Sequence, residues 1–247
     1  MAENLTIIPT YNERENIVKI IETIFALDVD FDILVVDDGS PDGTADLVKG
    51  LQQKYPNQLF LLERSGKLGL GTAYIAGFRW GLARDYQYFF EIDADFSHNP
   101  KDLIRLYRAC KEEGADLSVG SRYTKGGKVK NWPFDRIFIS YGASLYVRMI
   151  TFMPVKDPTA GFVCYSRTVL SSIDLDKIRF VGYAFQIEMK FAAYQLGFKI
   201  KEVPITFTDR VEGVSKMSGK IVNEAIKGVL TIRWKSFFES YRLIVQS

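Results

Sequence analysis

Two aspartates separated by one residue follow an apolar, aromatic run, and this spacing could hold a metal ion. The run begins near Phe89, reaches Asp93 and Asp95, and is closed by Pro100. Alternate residues of an extended chain point to the same side, so both carboxylates could reach one hard cation such as Mg²⁺ or Mn²⁺. Asp is also common in solvated turns after strands, and the spacing alone favours that simpler interpretation. The choice depends on the elements that position the pair.

Composition limits the functions that the chain can have. Its 247 residues, 47% of them hydrophobic, are most simply one large domain with a full core. The net charge is +2, so we expect no nucleic-acid binding, and any anion site must be local. The one histidine, His98, cannot build a multi-histidine zinc site. Cys110 and Cys164 form neither a disulfide framework nor a metal set, which, with no signal peptide in the sequence, predicts a reduced, cytoplasmic compartment.

The N-terminal half of the chain alternates predicted strands and helices. Residues 5–8, 33–36, 59–62 and 88–92 have the apolar character of buried strands, and isoleucines at helical spacing follow Asn12. This alternation predicts parallel strands, whose following loops gather along one edge of the sheet. Ligands bind at that edge in open α/β sheets. Acidic residues follow three of these strands, at Glu13, Asp37, Asp38, Asp93 and Asp95. Helix capping stays the alternative role for those near the helix starts.

A glycine-rich loop precedes one predicted helix. Gly66, Gly69 and Gly71 invite comparison with phosphate-binding loops, but the run lacks GxxxxGK[ST]. Tyr74 stands where GxGxxG requires its last glycine. We therefore predict neither a P-loop nor a dinucleotide fingerprint, and interpret the glycines as a flexible loop.

Several short motifs occur together in a fixed order. IPTYNE, VVDDGSPDGT, GLGTAY and EIDADFSHNP are followed by GSRY, NWP, DPTAGF, FQIEM and TFTDRVEGVSKM. The ordered set resembles family 2 glycosyltransferases of the GT-A fold, and more narrowly the polyprenol- or dolichyl-phosphate mannose synthases. The resemblance spans roughly nine tenths of the chain, well beyond a chance motif. It implies a GT-A catalytic domain over residues 1–210, and a C-terminal lid and amphipathic helical extension over residues 211–247 in the same unit.

The resemblance also implies a reaction and the residues that perform it. Mannose would pass from GDP-mannose to a polyprenyl or dolichyl phosphate with inversion, while Mg²⁺ or Mn²⁺ bound by Asp93 and Asp95 stabilises the departing diphosphate. Asp95 would be the main metal ligand. Some relatives have Gln where this chain has Ser97, so the role of Ser97 stays open. The implied nucleotide contacts are Pro9, Tyr11, Glu13, Val36, Asp38, Asp93, Ala94, Asp95, Arg122, Arg210 and Lys216.

The acceptor side of the reaction needs fewer groups. Arg122 and Arg136 resemble the family's phosphate contacts, with Arg136 assigned to the lipid phosphate. A phosphate monoester has a second pKa of about 6, so it attacks as an anion without a strong base. Asp157 and Glu188 stay open between structural and catalytic roles. If the acceptor is a hydroxyl, Asp157 is the candidate base.

A lipid acceptor requires access to a membrane. The sequence has no window of about 20 uninterrupted apolar residues, so no transmembrane anchor is expected. Residues 134–155 fit either an interfacial amphipathic helix or an ordinary helix packed on the sheet. The tail combines Trp234, Phe237 and Phe238 with basic residues, which favours the membrane interface. We expect a peripheral protein on the cytoplasmic face, with a membrane-anchoring protein partner as one further option.

Two alternatives remain open at this point. A UDP donor could supply glucose or another sugar to a lipid phosphate or a hydroxyl, which would keep the chemistry and change the substrates. A catalytically inert nucleotide-binding scaffold would keep the fold alone. The donor base and sugar follow only from the resemblance, because no single residue in the sequence distinguishes guanine from uracil.

Overall fold

A computed structural model describes residues 2–209 and 219–243. The strands of these ranges are β1 Asn4–Thr10, β2 Asp32–Asp37, β3 Leu59–Glu63, β4 Tyr88–Glu91, β5 Leu117–Ser121, β6 Lys128–Lys130, β7 Val163–Ser166, β8 Ile200–Pro204 and β9 Thr206–Thr208. The α-helices are α1 Ile17–Phe25, α2 Thr44–Gln52, α3 Leu70–Leu82, α4 Asp102–Lys111, α5 Phe134–Thr151, α6 Arg167–Ser172, α7 Tyr183–Gln195 and α8 Gly219–Lys235. A 3₁₀ turn spans Leu175–Lys177.

Seven strands form the central sheet, in the order β3-β2-β1-β4-β7-β5-β8. Strands β1 to β4 are parallel, and β5 pairs in parallel with β8. Strand β7 runs antiparallel to both of its neighbours. A second, two-stranded parallel sheet joins β6 and β9. The predicted α/β fold, with a mostly parallel sheet flanked by helices, is confirmed.

The reversal of β7 decides which loops share an edge. The loops after β1, β2, β4 and β5 leave the sheet at the carboxyl ends of parallel strands. Because β7 runs the other way, the loop before it, residues 157–162, lies at this same edge. The sequence pattern did not predict this reversal.

Helices cover both faces of the sheet because each presents one apolar side. Helix α1 buries its isoleucines, and every residue of β2 is buried, as expected for a strand covered on both faces. Helix α3 approaches the sheet closely through Gly77, where a Cβ would lie 2.7 Å from Ile7, and Gly81, where it would lie 2.5 Å from Phe89. These contacts fix α3 over β1 and β4.

The C-terminal part of the chain joins the same body. Helix α8 packs against α5 and α7. Beyond α8, the backbone N–H of Asp174 donates to the carbonyl of Tyr241 at 2.8 Å, and that of Leu243 donates to the carbonyl of Ser172 at 2.9 Å. None of the helices in the described ranges is long and apolar enough to cross a membrane.

Candidate active site

The carboxyl ends of β2, β1 and β4 bring three predicted contacts together. Pro9 pairs with Val36 across the β1–β2 ladder, and Ile7 pairs with Glu91 across the β1–β4 ladder. Asp93 stands two residues beyond Glu91, so it leaves the sheet at the level of Pro9 and Val36. Val36 is fully buried, which leaves its backbone rather than its side chain to meet a ligand at this edge.

Asp93 and Asp95 lie in a turn directly after β4 and are partly exposed. The turn is fixed by the backbone N–H of Ser97, which donates to Oδ1 of Asp95 at 3.0 Å, and by Phe96 in the left-handed region at φ 58°. Across residues 2–209 and 219–243, no group of three or more His, Cys, Asp or Glu could hold a metal. Two carboxylates suit Mg²⁺ or Mn²⁺ whose other ligands are diphosphate oxygens and water.

His98 packs behind this turn as a neutral side chain. Its ring lies 4.9 Å from that of Phe162 and 5.1 Å from that of Phe207, centroid to centroid. Burial lowers the pKa of His98 to about 4, so the ring is uncharged at neutral pH. The backbone N–H of Thr208 donates to the carbonyl of Ser97 at 3.0 Å. Strand β9 therefore holds the aspartate turn from the far side.

Arg122 and Asp157 form a buried ion pair next to that turn. Asp157 accepts hydrogen bonds from the backbone N–H, Nε and Nη2 of Arg122 at 2.7–2.9 Å. Nη2 of Arg122 also donates to Oγ1 of Thr159 at 2.9 Å. Burial alone would raise the pKa of Asp157, but the charge and hydrogen bonds of Arg122 outweigh it and lower that pKa below its usual 3.8. Asp157 therefore orients Arg122 and is a poor proton acceptor.

A second buried charge network lies beneath Asp93. Glu91 accepts from Nε2 of Gln186 at 2.8 Å, and Nζ of Lys190 donates to Oε1 of Gln186 at 3.1 Å and to the carbonyl of Ala160 at 2.6 Å. Burial raises the pKa of Glu91 and lowers the pKa of Lys190. The network ties β4 and α7 to the loop that carries Asp157.

Hydrogen bonds join the loops after β1 and β2. The backbone N–H groups of Asn12 and Glu13 donate to Oγ of Ser40 at 3.0 Å and to Oγ1 of Thr44 at 3.1 Å. Asp37 accepts from the Ser40 backbone N–H at 2.9 Å and from its hydroxyl at 2.6 Å. Asp37 therefore has a structural role in these loops, which is the alternative that the sequence left open for their acids.

Asp38, a predicted nucleotide contact, is engaged with the glycine-rich loop. Nε of Arg64 donates to its Oδ1 at 2.6 Å, and the backbone N–H of Leu68 donates to its Oδ2 at 3.2 Å. In the same loop, Nζ of Lys67 lies 4.6 Å from the ring centroid of Tyr11. The loop therefore borders the predicted nucleotide slot, and Asp38 holds it there.

Arg136 lies in the first turn of α5. Its Nη1 donates to Oδ2 of Asp209 at 2.8 Å, and its guanidinium carbon lies 4.1 Å from the ring centroid of Trp132. The predicted contacts Arg210 and Lys216 lie outside the described residues.

Glu188 is turned away from these groups. Its Oε2 accepts the backbone N–H of Arg179 at 2.9 Å and that of Phe180 at 3.1 Å, and its Oε1 accepts the hydroxyl of Tyr241 at 3.3 Å. Burial raises the pKa of Glu188 above its usual 4.5 despite these hydrogen bonds. Its contacts connect α7 to the C-terminal tail, which is a structural arrangement.

One face of α5 is apolar and exposed. Phe134 and Phe138 are 84% and 73% exposed, and the others continue at helical spacing to the end of the helix. We call this set the apolar stripe: Phe134, Phe138, Tyr141, Leu145, Met149 and Phe152. On the neighbouring α8 and the turn after it, Leu230, Trp234, Phe237 and Phe238 are also exposed. Arg233 links the two groups, with its guanidinium carbon 5.5 Å from the ring centroid of Phe152.

The structure thus collects most of the predicted residues along one edge and separates Glu188 from them. Sequence reasoning missed the partners that hold them. Arg64 for Asp38 and Asp209 for Arg136 are distant in the chain, and Trp132, four residues before Arg136, was not recognised as its neighbour. The NWP motif that contains Trp132 was the one available signal.

Comparison with known proteins assigns the chain to a known family. The profile of glycosyl transferase family 2 matches residues 6–174. A polyprenol monophosphomannose synthase from Mycolicibacterium smegmatis is 49% identical over 90% of this chain and 83% of its own. An undecaprenyl-phosphate mannosyltransferase from Micrococcus luteus is 48% identical over 94% of this chain and 96% of its own. The chain therefore belongs to glycosyl transferase family 2.

A more distant relative belongs to the same class, and a solved structure is similar in fold. A dolichol-phosphate mannosyltransferase from Pyrococcus furiosus is 38% identical over 93% of this chain and 63% of its own. Glucosyl-3-phosphoglycerate synthase from Mycobacterium tuberculosis, in a complex with Mn²⁺, UDP-glucose and phosphoglyceric acid, superimposes with a TM-score of 0.70 at 19% identity, over 94% of this chain and 80% of that one. That likeness shows a shared fold.

Proposed function

We propose that the protein transfers mannose from GDP-mannose to the phosphate of a polyprenyl phosphate, such as dolichyl phosphate, with inversion at the sugar carbon. The transfer uses Mg²⁺ or Mn²⁺ and takes place on the cytoplasmic face of a membrane, to which the protein binds peripherally. Three relatives support the substrate class, because one is named for the synthesis of polyprenol monophosphomannose and two are named as mannosyltransferases of undecaprenyl phosphate and dolichol phosphate.

The observation that carries the proposal is the position of Arg136 at the start of the apolar stripe. A lipid phosphate has an anionic head and a hydrocarbon chain, and these need a cation and an apolar surface close to each other. Arg136 supplies the cation in the first turn of α5, and Phe134 and Phe138, two residues away on either side, begin the apolar surface on the opposite face of the helix. The same stripe gives a membrane surface an apolar face to bind.

The state of Asp157 favours a phosphate over a hydroxyl as acceptor. Its carboxylate is occupied by Arg122 and its pKa is lowered, so it would take a proton poorly. An acceptor that is already an anion needs no such base. Catalysis then consists of alignment of the two substrates and stabilisation of the diphosphate that leaves.

The donor side has matching roles. Asp93 and Asp95 would hold the divalent ion against the diphosphate, and Arg122 would contact a phosphate from the other side. When bound, the metal would neutralise charge on the leaving diphosphate. Pro9, Tyr11 and Glu13 would border the base and ribose, and Arg210 and Lys216 would contact the diphosphate.

The test is transfer of radiolabel by the full chain to farnesyl phosphate, a short polyprenyl phosphate. GDP-mannose and UDP-glucose are compared as donors, farnesol serves as the hydroxyl acceptor, and each reaction is run with Mg²⁺, with Mn²⁺ and with EDTA. We expect EDTA-sensitive labelling from GDP-mannose to farnesyl phosphate only. Labelling from UDP-glucose would show that the proposed donor is wrong, and labelling of farnesol would show that the proposed acceptor is wrong. No labelling in any arm would favour the scaffold alternative.

A further inference from the structure

The NWP motif lies between the two predicted phosphate contacts and has no role in the reaction described so far. Asn131 adopts the left-handed conformation, at φ 64°, which Asn tolerates better than most residues. Trp132 precedes Pro133, and the residue before a proline is restricted to extended conformations. Pro133 is in turn the N-cap of α5. The three residues therefore set the direction of the indole at the start of the helix.

The indole of Trp132 lies close to two guanidinium groups. The guanidinium carbon of Arg136 is 4.1 Å from the ring centroid, and that of Arg122 is 5.6 Å from it. The edge of Phe207 supports the indole, at 5.2 Å between centroids. Both distances are within the range in which a cation and an aromatic face attract each other.

Apart from their contacts with Trp132, the two arginines are restrained to different degrees. Asp157 holds Arg122 through three hydrogen bonds in a buried pair. Within residues 2–209 and 219–243, one ion pair holds Arg136, and its partner Asp209 is 26% exposed, as is Arg136 itself. A partly exposed ion pair restrains a long side chain less than a buried one does. Arg136 therefore depends on stacking far more than Arg122 does.

We infer that Trp132 is a positioning residue for the acceptor phosphate: its indole holds the guanidinium of Arg136 at a fixed place relative to Arg122. Stacking on the ring face leaves the N–H groups at the guanidinium edge in the plane where they can bind a phosphate in a bidentate manner. Because the same ring also contacts Arg122, the acceptor phosphate is placed relative to the donor diphosphate. The inference rests on the proposed function.

The test separates the acceptor KM from the donor KM. Trp132→Leu removes the aromatic face, and Trp132→Phe keeps a weaker one. With farnesyl phosphate and GDP-mannose, we expect Trp132→Leu to raise the acceptor KM about 10-fold and Trp132→Phe about 3-fold, since cation–π attraction reaches about 1 to 2 kcal/mol and 1.4 kcal/mol is tenfold. The donor KM should stay within about twofold, because Asp157 continues to hold Arg122.

A double substitution shows whether Trp132 acts through Arg136. In an Arg136→Ala background, Trp132→Leu should add little to the rise in acceptor KM, whereas independent effects would multiply. Trp80→Leu is the matched control. The ring centroid of Trp80, in α3, lies 3.5 Å from the guanidinium carbon of Arg84, outside the site described above. This substitution should lower thermal stability without changing either KM.

The possible results are distinct. An unchanged acceptor KM, equal rises in the two KM values, or multiplicative effects with Arg136→Ala would each overturn the inference while leaving the proposed function intact. If Trp132→Leu does not fold, the graded effect of Trp132→Phe decides in the same way. If the unsubstituted chain does not label farnesyl phosphate at all, the proposed function fails and the inference falls with it.

Discussion

The loops after β1 and β2 differ from the surface around α5 in how their polar groups are held. In the loops, backbone N–H groups and carboxylates are bonded to each other, as between Glu13 and Thr44 and between Asp38 and Arg64. Around α5, Arg136 has an ion pair with Asp209 that is about a quarter exposed and an aromatic neighbour, and an apolar stripe faces outward. The polar groups of the first region hold one another in place, whereas those of the second region are held by fewer contacts.

This difference matches the two substrates proposed for it. A nucleotide has a fixed set of hydrogen-bonding groups, so a rigid slot binds it with little loss of entropy. A polyprenyl chain has no such groups, and only its phosphate requires an oriented partner. The following predictions test this contrast, beginning with the groups between the two regions.

The largest effect is expected at Asp95. Asp95→Asn removes the charge of a proposed metal ligand but keeps an oxygen that can accept from the Ser97 backbone N–H, so the turn should survive. We expect transfer to fall by about 10³-fold, since a metal supplies several kcal/mol of charge stabilisation. A radiolabel assay measures the transfer, and thermal unfolding shows whether the fold survives.

Asp46→Asn is the control for Asp95, because Asp46 is an exposed acid on α2 with 83% of its side chain accessible. It should leave transfer unchanged. If Asp95→Asn also kept full metal-dependent transfer, Asp95 would not be the metal ligand; cellular function without transfer in that variant would favour the scaffold alternative.

Asp157→Asn should have the next largest effect, because it leaves the buried charge of Arg122 without its counter-ion. We expect kcat/KM to fall about 100-fold and the free energy of unfolding to fall by about 3–5 kcal/mol. The pKa of Asp157 is lowered on folding, so its stabilising contribution is present above about pH 3.8 and is lost as the pH falls through the lower, folded-state pKa. Denaturant unfolding at several pH values should show a shallower acid loss in the variant.

The comparison variant for Asp157 is Asp176→Asn, which breaks the exposed ion pair with Arg79. A surface pair contributes about 1 kcal/mol or less, so stability and transfer should barely change. A variant Asp157→Asn with normal transfer to farnesyl phosphate would mean that Arg122 does not need this partner. Selective loss of transfer to farnesol would instead identify Asp157 as a base.

The apolar stripe should affect membrane binding more than chemistry. Replacing Leu145 and Met149 by Ser removes two exposed apolar side chains from α5. Full burial of one such side chain contributes about 1.5–3 kcal/mol, so even partial insertion of both predicts at least a 10-fold weaker binding to vesicles that contain anionic lipid. Vesicle flotation measures the binding.

The same double variant contains its own control. Transfer to farnesyl phosphate in detergent should remain within about twofold, because this variant leaves Arg136, Phe134 and Phe138 unchanged. Unchanged vesicle binding would assign the stripe to another contact, and a membrane-anchoring protein partner would then become the better explanation.

Much of the fold follows from local pattern, and the restraints within the site do not. The apolar run of β2 and the carboxylates after β4 are read directly from neighbouring residues. The reversed β7 and the pairing of Arg122 with Asp157, 35 residues apart, depend on tertiary packing that no local periodicity specifies. The sequence therefore identified the candidate carboxylates and arginines. It could not show that the carboxylate of Asp157 is bonded to Arg122 or that Arg136 stacks on Trp132.

Glu188 should have the smallest effect on transfer, although the sequence left it open as a catalytic residue. Its carboxylate holds two backbone N–H groups and the hydroxyl of Tyr241, so Glu188→Gln should change kcat/KM by less than about twofold while lowering the free energy of unfolding by about 1–3 kcal/mol. Burial raises the pKa of Glu188, so its contribution to stability is largest below pH 4.5 and decreases as the pH rises through the folded-state pKa. Unfolding of Glu188→Gln should lack this decrease. A large loss of transfer without loss of stability would support a role for Glu188 in acceptor binding or catalysis. Glu188 would then have to break its hydrogen bonds to Arg179 and Phe180 during the reaction.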